Sequence, residues 1–129
     1  MGLKQPRYNS MVKGHWYGDM IGDVDASGSS EHYTGVLGYP ITNLTIEGVF
    51  SYRVYTKNSK KWGPWIEYGH YDKTNPAGDG SEILAIEIND KSIEYSYHII
   101  GGGWFDPPND GSFYIHPYLP IDALKIIRK

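Results

Sequence analysis

The residues of this chain best suited to chemistry are aromatic rings set beside short acidic loops. Trp62 and Trp65 stand three positions apart and are followed by Glu67, Tyr68, His70 and Asp72. Trp16 is followed by Asp19, Asp23 and Asp25, and Trp104 by Asp106, Asn109 and Asp110. An indole offers an apolar face to a sugar ring, and a nearby Asp, Asn or Tyr hydrogen-bonds its hydroxyls. The candidate ligand-binding residues are therefore Trp65, Tyr68, Asp72, Trp16, Asp19, Trp62, Trp104 and Asp106. Trp65 leads them, because a tryptophan unique to one third of the chain is not required by a repeated core. The same residues have plainer uses. A tryptophan recurring at one position is most simply a core wedge, and Asp and Asn cap and bend loops.

Other chemistries find little footing. The chain has no cysteine, so thiolate metal sites and disulfides are excluded and either redox compartment is open to it. The five histidines do not form His-x-x-x-His or His-Glu-x-x-His. The run Asp19-x-x-x-Asp23-x-Asp25 lacks the closing Glu of an EF-hand loop. There is no Gly-x-Ser-x-Gly, and Gly101-Gly102-Gly103 opens no helix onto which a phosphate would sit. With 15 acids, some carboxylate pair at glycosidase spacing arises by chance and carries no weight. The expectation is a binding module without metal or cofactor. A protein-binding or structural module is the alternative, and a small glycoside hydrolase a third.

A formal net charge of −3 and a pI near 5.9 leave no basic stripe for nucleic acid. No apolar run reaches membrane-span length, and Met1 to Arg7 lead into no apolar signal core. The chain is thus expected to be made in the cytoplasm and to act outside a cell only after lysis or as part of a larger protein.

The elements that must position these rings repeat. Pro40-Ile41-Thr42-Asn43-Leu44-Thr45-Ile46 returns as Glu82-Ile83-Leu84-Ala85-Ile86-Glu87-Ile88 and as Pro120-Ile121-Asp122-Ala123-Leu124-Lys125-Ile126. A tyrosine and then a tryptophan precede each copy: Tyr8 and Trp16, Tyr52 and Trp62, Tyr95 and Trp104. A period near 40 residues marks supersecondary units that bury their apolar faces only against one another. The chain divides into units of about 8–48, 49–90 and 91–129 within one domain, 1–129. Strand patterns run through Trp16–Met20, Val49–Thr56, Trp62–Ile66, Ile83–Ile88, Ile93–Ile99, Trp104–Phe105 and Leu124–Arg128, with Glu82, Glu87 and Asn89 facing outward. Asn89-Asp90 reads as the turn between the second and third units. Gly and Pro interrupt any helical period. The expected fold is all-β and pseudo-threefold, a β-trefoil or a β-prism.

These units resemble the tryptophan-containing repeats at the C-termini of Firmicutes and clostridial phage endolysins and peptidoglycan hydrolases. The resemblance rests on Tyr52-Arg53-Val54-Tyr55, Trp62-Gly63-Pro64-Trp65, Thr34-Gly35 and Ala77-Gly78, and the Ile121-Asp122-Ala123-Leu124-Lys125-Ile126 ending, and it spans residues 8 to 127. The family form is Tyr-Arg-x-His, Gly-x-Trp-x-x-Trp, Tyr-Ala-Gly and Ile-Asp-Ala-Ile-x-Ile. Tyr55 stands in place of the family His, Asp19 and Pro107 in place of the second tryptophan, and Tyr114-Ile115-His116 in place of Tyr-Ala-Gly. The resemblance implies a targeting module for a bacterial cell-wall glycan, with sites that need not be equivalent. Function is then to be sought where the repeat breaks: at Trp65, in the Gly22–His32 loop, and in the loop with Pro107 and Pro108.

Overall fold

The structure, a computed structural model, describes residues 4–26, 32–107 and 119–129. Asn109, Asp110 and Tyr114-Ile115-His116 lie outside the described residues, as does the middle of the Gly22–His32 loop. The described chain is all-β and forms three antiparallel sheets. In order, the strands are β1 (Arg7–Val12), β2 (His15–Ile21), β3 (Val24–Asp25), β4 (Thr34–Gly35), β5 (Asn43–Glu47), β6 (Ser51–Thr56), β7 (Ile66–Glu67), β8 (Ile83–Asn89), β9 (Ile93–Ile99), β10 (Gly103–Phe105) and β11 (Ile121–Arg128). The sheets run β3-β2-β1-β5, β7-β6-β8 and β10-β9-β11-β4.

Each sheet centres on one tyrosine strand paired with one Ile-rich strand, and the register is the same each time. Tyr8 faces Ile46, Tyr52 faces Ile88, and Tyr95 faces Ile126. All six are buried. So are Ile41, Ile83 and Ile121, whose backbones are chained: the Ile83 amide donates to the Ile41 carbonyl at 2.9 Å, and the Ile41 amide to the Ile121 carbonyl at 2.8 Å. Burying one such side chain is worth about 1.5–3 kcal/mol. These nine side chains therefore hold the core where the sheets meet.

The sheets are joined by a contact made three times over. The Tyr52 hydroxyl accepts the Ile46 amide at 3.3 Å, the Tyr95 hydroxyl accepts the Ile88 amide at 3.2 Å, and the Tyr8 hydroxyl accepts the Ile126 amide at 2.9 Å. Each tyrosine thus faces the isoleucine of its own sheet and hydrogen-bonds that of the preceding one, and Tyr8 returns the last sheet to the first. Two straps follow the same direction. Ala77 exchanges backbone hydrogen bonds with Leu44, and Thr34 pairs with Leu124. Gly78 and Gly35 follow them at φ +108° and +106°, and a Cβ there would stand 2.4 Å from the Thr42 carbonyl oxygen and 2.3 Å from that of Asp122. Only glycine fits so close a backbone approach in that conformation.

Two expectations change. Trp62–Ile66 is not a strand: Trp62 makes one isolated bridge to Tyr55, and pairing resumes only at Ile66. Pro64 has no N–H to give a ladder. Glu87 does not face water either. It is 4% exposed and pairs with Arg53 on the neighbouring strand, whose guanidinium lies against Trp62 and Trp65. The Asn89-Asp90 turn stands: the Asp90 carboxylate accepts the Ser92 amide at 3.0 Å and the Ser92 hydroxyl at 2.7 Å.

Candidate functional site

The repeated tryptophans are on the outside. Trp16 and Trp62 are half-buried, Trp104 is exposed, and none belongs to the buried core. Each crosses a hairpin from an equivalent residue: Trp16 from Met11, Trp62 from Tyr55, Trp104 from His98. The core-wedge use is excluded by geometry. Alternation along the tyrosine strands sends Tyr8, Tyr52 and Tyr95 inward, so the position three residues on, which carries the tryptophan partner, faces outward.

The second unit builds an aromatic surface around one ion pair. Outward on β6, Arg53 lies opposite Glu87 on β8. Arg53 Nε donates to Glu87 Oε1 at 2.7 Å, and Nη2 lies 2.7 Å from the same oxygen. Its guanidinium carbon is 4.7 Å from the Trp62 ring centre and 4.3 Å from that of Trp65. A planar, delocalised cation stacks on indole faces, and a buried carboxylate fixes its plane. Tyr55 packs edge-on against Trp62 at 5.7 Å. Trp65, 40% exposed, is held in place while keeping surface open to a ligand.

Tyr68 and Asp72 do not join this cluster. Tyr68 has φ +48° and packs edge-on against Phe50 at 5.2 Å. The Asp72 carboxylate caps its own turn, accepting the Thr74 amide at 2.9 Å and the Thr74 hydroxyl at 2.5 Å. The Thr74 hydroxyl and then its amide hold the Asp72 carboxyl below its ordinary pKa. The ring that does reach another sheet is Tyr71, one residue before Asp72 and not among the candidate binding residues. Its hydroxyl accepts from Asn9 Nδ2 at 3.0 Å, and the Arg7 guanidinium lies 3.8 Å from its centre. Asp19 is occupied by that same Arg7, at 2.8 and 3.1 Å, so in the first unit Trp16 has no free acid at Asp19.

The third unit is different again. Trp104, 46% exposed, is met by Tyr33 at 5.8 Å, His98 at 5.4 Å and the Lys125 ammonium at 5.1 Å. His98 Nδ1 lies 2.7 Å from Asp122 Oδ1, and Asp122 Oδ2 accepts the Gly38 amide at 2.7 Å. A register shift between Ile121 and Ala123 leaves Asp122 unpaired in the ladder and aims it at His98. Asp106 is exposed and lines a groove of about 480 Å³ beside β9 and β11.

Arg53, Glu87, Tyr33, His98, Asp122 and Lys125 were not singled out from the sequence as site residues. The available signal was positional. Arg53 and Glu87 occupy outward places on paired strands, and His98 stands three residues after Tyr95 as Tyr55 does after Tyr52. Among the described residues no three His, Asp or Glu side chains converge to hold a metal ion. Comparison with protein-family models, with curated proteins and with solved structures gives no match.

Proposed function

We propose that this chain is a non-catalytic carbohydrate-binding module that targets a bacterial cell-wall polymer, the binding part of a phage endolysin or wall hydrolase. The observation that carries the reading is the Arg53 guanidinium held by buried Glu87 against both Trp62 and Trp65. It makes an exterior aromatic platform that loses little freedom when a ligand lands on it. The resemblance to wall-binding repeats points the same way. Stacking on Trp65 would supply most of the contact at this site, and several weak sites on one body would act by avidity.

A pseudo-threefold, prism-like arrangement accompanies this reading. Its support is the recurrence of the Tyr–Ile contact around three sheets and the pairing, in each sheet, of the tyrosine strand with the Ile-rich strand of the same unit, with β4 of the first unit added to the edge of the third sheet. That pattern favours a prism over a trefoil, whose units share one barrel.

The test is sedimentation with purified Gram-positive walls. Trp65→Ala is expected to lose wall binding while keeping the parent's unfolding curve. Equal sedimentation of variant and parent would remove Trp65 from the site. A second reading, a protein-binding module, is favoured by the exposed Phe50–Tyr68 pair over an apolar hollow lined by Val49 and Gly48. Retention on walls without Tyr68 dependence, against capture by a protein that Tyr68→Ala abolishes, separates the two.

A further inference from the structure

The two cation–indole surfaces differ in how the cation is balanced. Arg53 is neutralised by Glu87. Lys125 occupies the position that corresponds to Glu87, one residue before the inward Ile126 as Glu87 precedes Ile88. It faces Ser96, not an arginine. Lys125 forms no ion pair among the described residues. Asp122, on the same strand, is committed to His98 and to the Gly38 amide. Lys125 also lines the groove of about 480 Å³, where Lys91 adds a second cation, Lys129 is paired with Glu94 at 2.8 Å, and Asp106 adds one acid. On a chain of net charge −3 this is a locally positive face beside an exposed indole.

We infer that the Trp104–Lys125 surface and its groove take a saccharide or polyol carrying a negative charge, a phosphate or carboxylate group, while the neutralised Trp62–Arg53–Trp65 surface takes an uncharged part of the ligand. This rests on the wall-binding reading. A sugar laid along the exposed part of the indole brings its substituent within reach of Lys125 Nζ. The partly desolvated ammonium pairs with an anion more strongly than it would in bulk water. His98, oriented by Asp122, supplies a ring nitrogen beside the same indole, so the surface also offers hydroxyl recognition.

The experiment follows the Trp104 indole N–H signal by NMR in the full chain, with glucose, glucose 1-phosphate and glucuronate as probes. The two anions are expected to shift it at concentrations at least about fivefold lower than glucose, and a rise from about 0.05 to about 0.5 M salt to weaken them. A response to glucose 1-phosphate alone assigns the site to phosphate, and one to glucuronate alone to carboxylate. Lys125→Gln is expected to abolish the preference and Lys125→Arg to retain it. Equal responses to glucose and both anions, or an unchanged preference in Lys125→Gln, overturn the inference. Wall sedimentation run in parallel separates the two readings. Wall binding without anion preference removes this inference alone, and anion preference in a protein that ignores walls removes the wall reading alone.

Discussion

The Tyr8 hydroxyl accepts the Ile126 amide at 2.9 Å and donates to the Gly22 carbonyl at 2.6 Å, tying together residues 118 apart in sequence. Tyr52 and Tyr95 make the same contact with amides six and seven residues away. The chemistry is equal but the loop closed is not. The longer closure costs about 2–3 kcal/mol more in chain entropy. Tyr8 shares that long closure with the Thr34–Leu124 pairing, the Ile41–Ile121 backbone bond and the Gln5–Arg128 hydrogen bonds.

Tyr8→Phe is expected to destabilise the domain by about 1–3 kcal/mol, since it leaves a buried amide and a carbonyl unsatisfied. Tyr52→Phe and Tyr95→Phe, whose hydroxyls accept longer bonds, are expected to cost less. Urea unfolding of the three variants measures this. A Tyr8→Phe curve that overlays the parent's removes the hydroxyl from the closure.

Burial pushes the Tyr95 hydroxyl up to about 12 and raises those of Tyr8 and Tyr52 above their ordinary value. A raised pKa means the folded state holds the proton more tightly than the unfolded chain. The stability so gained is complete below pH 10 and is lost as pH climbs through 12. Alkaline titration is expected to show these phenolates appearing together with loss of near-ultraviolet circular dichroism. Their ionisation near pH 10 with the fold intact would contradict their burial.

Gly35→Ala and Gly78→Ala place a methyl against a carbonyl oxygen at positive φ, and each is expected to cost about 3 kcal/mol or more. Gly38, at φ +93° with nothing within 4 Å of a Cβ, is the control. Its Ala variant is expected to lose only about 1–2 kcal/mol. Thermal melts that rank the three equally would show that the straps do not need their close approach.

Glu87→Ala leaves the mostly buried Arg53 guanidinium uncompensated and is expected to cost about 3 kcal/mol. The double variant Arg53→Met with Glu87→Leu is expected to recover much of that stability. It is also expected to release Trp65, which intrinsic fluorescence and wall sedimentation would both register. A double variant no more stable than Glu87→Ala would mean that the pair is not the source of the loss.

Much of the fold was legible because isoleucine and leucine recur at fixed places along its strands, although β8 is buried at six successive positions and so on both faces. Ile93–Ile99 stands where its alternation placed it, and the Ile83–Ile88 and Leu124–Arg128 patterns lengthen to Ile83–Asn89 and Ile121–Arg128. The Trp62–Ile66 segment was misread because a run of aromatics looks like a strand until Pro64 removes its donor. The candidate site was legible in part. Trp65 is an exposed aromatic as its loop setting suggested, and Trp104, whose recurrence made it most simply a core wedge, is exposed as well, but Asp19 and Asp72 are consumed by Arg7 and Thr74. Which acid is free depends on which neighbour the fold brings to it, and that neighbour is 12 residues away for Asp19 and two for Asp72.

By itself the sequence determined the all-β class and the repeated isoleucine and leucine positions that pack inward, since burial periodicity and turn residues act locally along the chain. Only the tertiary structure decided which outward residues meet. Arg53 finds Glu87 34 residues on, and His98 finds Asp122 24 residues on through a shifted register. Polar partners on neighbouring strands follow no period, because hydrogen-bond geometry selects them only after the strands have been aligned by their buried faces.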